Sequence, residues 1–188
     1  MPCPAISANA DDLMPLFLSK ATNQELRNDI EHEYRLWEKV KRGSRIPDFS
    51  FTDTEGKTMK LSDFRGKYVL IDCWATWCGP CKIQLPHLEK VIARYKDAEI
   101  VFVGLSSDKK REAWQKMVRE RNMHGVQVNE PDADAAFFKL FRVNAIPRFI
   151  LLAPDGTVQD SHLPRPSEPA LVSLLDSLLN SHRPVVRY

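Results

Sequence analysis

The segment Tyr68-Val69-Leu70-Ile71-Asp72-Cys73-Trp74 runs through Ala75-Thr76 into Trp77-Cys78-Gly79-Pro80-Cys81-Lys82. The first seven residues are nearly all apolar and read as a central strand buried on both faces. The residues after Cys78 read as a helix, with Leu85, Leu88, Val91, Ile92 and Tyr95 on its inner side and Pro86 as a kink. The first turn of a helix carries unpaired N–H groups and the positive end of the macrodipole. A thiolate is favoured there, and the thiolate is the form that attacks disulfides. Cys78 falls at that helix start. Cys81, one turn on, is placed to close a ring with it, so the stretch predicts a thiol–disulfide exchange device.

Other uses of a Cys-x-x-Cys pair fit less well. A structural zinc needs four ligands with a second knuckle. Cys3 and Cys73 are single and far apart, and the five histidines show no paired spacing, so no metal is expected. A fixed structural disulfide would be oddly placed at a strand-to-helix junction.

With 188 residues the chain has room for one domain plus an appendage, and for a core that needs no disulfide staples. Its 43% hydrophobic and 28% charged content are ordinary for a soluble globular protein. A formal net charge of +2, with no basic tract, gives no reason to expect nucleic acid as a partner. Four cysteines are too few for a secreted disulfide scaffold. No apolar run approaches the ~20 residues of a membrane span. Met1-Pro2-Cys3-Pro4-Ala5 lacks a charged region followed by an apolar stretch, so no signal peptide is visible. Cys3 follows no apolar segment, which argues against a lipid-anchor cysteine.

Residues 1–20 show no periodicity beyond Leu13, Leu16 and Phe17. Thr22-Asn23-Gln24-Glu25 reads as a capping box, with Thr22 and Glu25 serving each other's backbone N–H groups. Leu26, Ile30, Tyr34, Trp37 and Val40 then form one apolar stripe on a charged helix ending at Gly43. That stripe could dock on the main domain, meet another subunit, or pack on a domain further upstream.

Phe49–Thr52 and Thr58–Leu61 read as short strands around the turn Asp53-Thr54-Glu55-Gly56, followed by the polar connector Ser62–Lys67. Ile100–Leu105 is a second buried strand, and Lys109–Arg121 a charged helix with Trp114, Met117 and Val118 inward. His124–Val128 adds a short strand. Asp132 or Asp134 can cap a helix carrying Phe137, Phe138, Leu140 and Phe141. Phe149–Leu152 is a strand turned by Pro154-Asp155-Gly156 into Thr157–Gln159. Ser167 caps a last helix that buries Leu171, Leu174, Leu175, Leu178 and Leu179. Alternating strands and helices, with a closing strand–turn–strand, predict α/β architecture with an antiparallel edge.

The order of strand, redox pair, kinked helix and a late Ile146-Pro147 before a strand resembles the thioredoxin superfamily over roughly residues 45–182. Two local patterns narrow the resemblance. Phe49-Ser50-Phe51 leading through Gly56-Lys57 to Leu61-Ser62-Asp63-Phe64-Arg65-Gly66-Lys67 is similar to the amino-terminal hairpin of TlpA/ResA-like thiol–disulfide oxidoreductases. His124–Phe141 falls where those proteins insert a strand and a helix. Val143-Asn144-Ala145-Ile146-Pro147 and Pro154-Asp155-Gly156 also fit. The implied fold is a thioredoxin fold, a mixed central sheet flanked by helices. Its additions are an N-terminal hairpin, a strand–helix insertion and an N-terminal helical extension. The implied division is an extension over 1–43 and a thioredoxin-like domain over 44–188.

By that resemblance Cys78 is the exposed nucleophile and Cys81 the buried resolving thiol. Pro147 is the cis-proline facing them, and the backbone of Ile146 pairs with an extended substrate. Trp77, Gly79, Pro80, Ile146 and Pro147 together are the expected substrate-binding residues. Asp72 stands six residues before Cys78, where thioredoxins carry a buried aspartate. Burial would raise its pKa and make it a proton acceptor for Cys81; the plainer reading is a water-solvated structural carboxylate. No lysine partner for it exists near Val103-Gly104-Leu105.

Gln84 stands where ResA-like proteins often have an acid, which weakens a specific role in cytochrome c maturation. Arg148 would tune the Cys78 thiolate, meet an acidic substrate or point into solvent. Cys73 reads as a small buried hydrophobe, and His87 and His124 as surface or satisfied residues.

No cofactor is required, because the cysteine pair carries two electrons. Gly79-Pro80 between the cysteines resembles thioredoxin and implies a reductant. The family implies a place facing the periplasm, protein disulfides as substrates, and recharging by a membrane or thioredoxin-type electron donor. Two other readings stand beside this one. One is an AhpC/TSA-like peroxidase, although Trp74-Ala75-Thr76-Trp77-Cys78 lacks the Pro-x-x-x-Thr-x-x-Cys setting. The other is a redox-inert binding domain of a larger chain.

Overall fold

The computed structural model describes residues 10–130 and 136–180; Cys3 and the Asp132 and Asp134 caps lie outside them. Two helices come first, α1 (Ala10–Lys20) and α2 (Gln24–Glu38). The hairpin β1 (Ser50–Asp53) and β2 (Thr58–Lys60) comes next, then a single 3₁₀ turn over Leu61–Phe64. The central elements are β3 (Tyr68–Trp74), α3 (Gly79–Arg94), β4 (Ile100–Ser106), α4 (Arg111–Glu120) and β5 (Val126–Asn129). The described chain closes with α5 (Ala136–Leu140), β6 (Arg148–Leu152), β7 (Val158–Asp160) and α6 (Pro169–Asn180).

Among the described residues the strands form one mixed sheet in the order β2-β1-β5-β4-β3-β6-β7. β3, β4 and β5 run parallel, while β1, β6 and β7 pair antiparallel with their neighbours. All seven residues of β3 are buried, because helices cover both of its sides. Leu70, Phe102, Phe149 and Leu151 pack with Leu88 and Val91 of α3 and Leu171 and Leu175 of α6. On the opposite face, Val69, Ile71, Cys73, Val103 and Leu105 pack with Phe137, Phe138 and Phe141 around α5. The two-sided core places the end of β3, and the loop after it, at the centre of one sheet rim.

Several local expectations shift. A helix occupies 10–20, where Pro15 obscures the sequence pattern. Asn23, rather than Thr22, caps α2, its Oδ1 accepting the Leu26 N–H at 3.0 Å. Asparagine is as good a cap as threonine, so the helix starts one residue later. α2 stops at Glu38, short of Gly43, which takes φ +85°. Its stripe is only partly covered, since no residue of α2 is fully buried. The expected connector 62–67 opens with the 3₁₀ turn, where Ser62 donates through N and Oγ to the Asp48 carboxylate, each at 2.8 Å. Ser167 is not the cap of α6: the helix begins at Pro169, whose ring presets the first turn and lacks the N–H that would need a partner.

After α2 the chain becomes a belt along the sheet edge. Val40 is buried in the core. The Gly43 N–H donates to the Val158 carbonyl at 2.7 Å, and the Val158 N–H to the Ser44 carbonyl at 2.9 Å. Arg45 makes an antiparallel bridge with Thr157.

Candidate active site

β3 delivers the redox segment through the loop Ala75-Thr76-Trp77, and β4 holds that loop. The Ser107 N–H donates to the Trp74 carbonyl at 3.0 Å. Asp108, 3% exposed, accepts from Thr76 N at 2.8 Å, Thr76 Oγ1 at 2.7 Å and Ser106 Oγ at 2.8 Å. Asn129 from β5 donates through Nδ2 to the carbonyls of Ser106 and Asp108, both at 3.1 Å. These buried bonds fix where α3 starts. They are not among the residues expected from sequence; the signal for them there is Ser106-Ser107-Asp108, three polar residues directly after a buried strand.

Cys78 is the N-cap of α3, with Pro80 in the first turn. The Cys81 N–H donates to Cys78 Sγ at 3.1 Å, so the sulfur occupies the position of a capping oxygen and meets the positive end of the helix. Cys78 and Cys81 are joined as a disulfide with their Cα atoms 5.3 Å apart. Cys78 is 4% exposed and Cys81 2%. Cys78 is thus not exposed as expected, because both sulfurs sit in the buried cluster with Trp74 and Trp114; what sets Cys78 apart is that it borders a groove of about 440 Å³ whose lining does not include Cys81.

Trp77, Gly79 and Pro80 form one side of that groove, and Phe138 and Ile146 the other. The Ile146–Pro147 bond is cis, and Cys78 Sγ lies 3.7 Å from the Ile146 carbonyl oxygen. Trp77 is 69% exposed at the rim, while Trp74 is fully buried beneath it with Cys81 and Trp114. The groove thus joins a sulfur, an unsheltered aromatic ring and a backbone carbonyl, the parts needed to hold an extended peptide against a nucleophile.

Asp72 lies on the face of β3 shared by Leu70 and Trp74, where Cys81 also packs against Trp74. It is 4% exposed, and burial raises its carboxyl to about 7. It borders a cavity of about 10 Å³ together with Glu89, Gly104, His124 and Gln127. Cys73, on the opposite face, is buried and unbonded; burial and the nearby Asp72 charge push its thiol far up. That is the setting of an inert thiol.

The remaining candidates fall away from the groove. Arg148 turns to the hairpin end, within 3.4 Å of the Ser161 carbonyl and 3.2 Å of His162 Nδ1. Gln84 is buried and accepts the Ser167 N–H at 3.1 Å, linking α3 to the segment before α6. His124 pairs through Nδ1 with Glu89 Oε2 at 2.6 Å. Among the described residues no helix is long and apolar enough to cross a membrane.

Comparison with known proteins gives a consistent picture. The Redoxin family model matches residues 41–179. Thiol-disulfide oxidoreductase ResA of Bacillus thuringiensis is 31% identical over 122 residues, 64% of this chain and 69% of ResA. ResA of Bacillus subtilis is 32% identical over 126 residues, 64% of this chain and 66% of that protein. Among solved structures, the thioredoxin domain of a thiol-disulfide oxidoreductase from Bacteroides vulgatus superposes with a TM-score of 0.66. It is 28% identical and covers 74% of this chain and 98% of its own.

Proposed function

The chain belongs to the Redoxin family and is a ResA-like thiol–disulfide oxidoreductase, and from that premise we propose that it reduces protein disulfides outside the bacterial cytoplasm. The observation that carries the reading is Cys78 as helix cap, its sulfur on the groove beside the Ile146 carbonyl. In the reduced form the Cys78 thiolate, held by the Cys81 N–H and the α3 dipole, attacks one sulfur of a substrate disulfide. The substrate S–S bond breaks, one substrate thiolate leaves and is protonated, and a mixed disulfide remains. Cys81 gives its proton to Asp72 and attacks Cys78. The second substrate thiol departs, and two electrons have passed from the dithiol to the substrate.

The extended substrate segment lies in the groove against Trp77, Gly79 and Pro80 and pairs with the backbone of Ile146 before Pro147. A membrane or thioredoxin-type donor then returns the Cys78–Cys81 disulfide to the dithiol.

Equilibration in thiol buffers, with Cys78→Ser as the control, tests the direction of electron flow. A potential of about −270 mV or lower is expected of a reductase; a value near about −120 mV would make the protein an oxidant.

A further inference from the structure

β3, β4 and β5 bring three residues into one row. Asp72 is in register with Gly104, and Gly104 with Gln127. Residues in register on parallel strands face the same side, so the row lies under α3. Gly104 has no side chain, and Gln127 occupies the space this leaves. A Cβ at position 104 would collide with Gln127 Oε1 and lie 2.9 Å from its Cδ. The other end of the amide fixes its orientation: Nε2 donates to the His124 carbonyl at 2.9 Å, an oxygen that can only accept. Gln127 Oε1 is therefore turned inward along the sheet. It is buried without a partner, as is Asp72 Oδ1, and both residues border the same cavity of about 10 Å³.

Two buried acceptors on one small cavity are costly unless a proton lies between them. An ionised carboxylate has none to offer; a carboxylic acid has one. We propose that Gln127 is a positioning residue for Asp72: across Gly104 its side-chain oxygen accepts the hydrogen bond of the Asp72 acid, and so stabilises the protonated form that the carboxylate reaches on taking up a proton from the thiol chemistry.

The surroundings favour the neutral acid. α3 presents Glu89 to the cavity, the segment before β5 presents His124 paired with Glu89, and β4 presents Gly104. β6 sets Phe149 opposite Asp72. Cys81 lies on α3 over the same sheet face, and Cys73 on the other. Neither lysine nor arginine lines the cavity, so its shape and its charges both favour the proton. The consequence for turnover rests on the reading of Asp72 as the proton partner of Cys81; the hydrogen bond itself does not.

The test is a ¹³C NMR titration of the Asp72 carboxyl carbon in the full chain, comparing the unsubstituted protein with Gln127→Met and Gln127→Glu. Methionine keeps the length and removes the acceptor, so the Asp72 midpoint falls by about one pH unit, a tenfold change in its acid constant. Glutamate sets a like charge beside it and raises the midpoint. Opposite shifts from two substitutions at one position are not produced by loosened packing. A midpoint unmoved or raised in Gln127→Met overturns the proposal. Should that variant fail to fold, the absence of a rise in Gln127→Glu does so. Failure of the Cys81 reading shows separately, as a pH profile of disulfide reduction that does not follow the shifted midpoint.

Discussion

In the proposed mechanism Asp72 couples redox chemistry to stability through one acid constant. Its carboxyl sits at about 7 in the folded chain because burial disfavours the charge, against about 3.9 when unfolded. Below about pH 4 both states hold the proton and folding is not penalised. Between about pH 4 and 7 only the folded state keeps it, so stability falls as pH rises and levels off above 7. Asp72→Asn should remove that slope, leaving stability at pH 4 nearly unchanged. At pH 8 it should raise stability by on the order of 3–4 kcal/mol. Urea unfolding at the two pH values checks this, and an equal effect at both would refute it.

Cys81→Ser should stop the second step and accumulate the mixed disulfide on Cys78, seen as an added substrate mass under non-reducing conditions. The cysteine pair and the burial of Asp72 are legible in the sequence because each comes from local spacing on one strand and one helix. Gln127 is not legible in that way. It reaches Asp72 only by crossing Gly104, a relation set by the register of three strands.

At the scale of elements, the loop 75–77 depends on a carboxylate contributed from beyond the next strand. Asp108→Ala would orphan the Thr76 N–H and hydroxyl and the Ser106 hydroxyl in a buried place. A loss of about 2–4 kcal/mol in urea unfolding is expected. Thr76→Val, which keeps the backbone bond, should cost about 1 kcal/mol. Equal losses would mean that the Thr76 backbone bond and the Ser106 hydroxyl bond together contribute nothing.

α5 supplies Phe138 to both core and groove. Phe138→Ala should cost about 3–5 kcal/mol and raise KM for a peptide disulfide more than it lowers kcat. β3, β4 and the helix after the cysteines are legible because unbroken apolar runs and a 3.6-residue stripe have few other meanings. The helix starts are less so: Asn23 and Thr22 are both good caps, and the choice is made by where the chain enters α2. Short β5 and β7 take their limits from strand pairing, which no local pattern encodes.

At the scale of the whole molecule, the expected division between 1–43 and the rest can be tested by truncation. α2 buries none of its residues completely and meets the domain through contacts such as Glu33 with Arg142, a half-exposed ion pair of little energetic weight. Val40, however, belongs to the core. A chain starting at residue 39 should keep its disulfide reductase activity and melt within about 5 °C of the full chain. A fall beyond about 10 °C would make α1 and α2 part of the folding unit.

The belt of residues 43–45 has a consequence for a molecule whose proposed substrates are extended, disulfide-bearing polypeptides. An open strand edge invites any stretched polypeptide to zip onto it. Here the belt occupies the β7 side, and the outermost strand on the other side, β2, is three residues long, preceded by Lys57 and ending on Lys60. Sticky backbone is thereby withheld from both flanks. On the proposed reading, a client that bonds to the Ile146 carbonyl does so within reach of the sulfur, so capture and chemistry share one address.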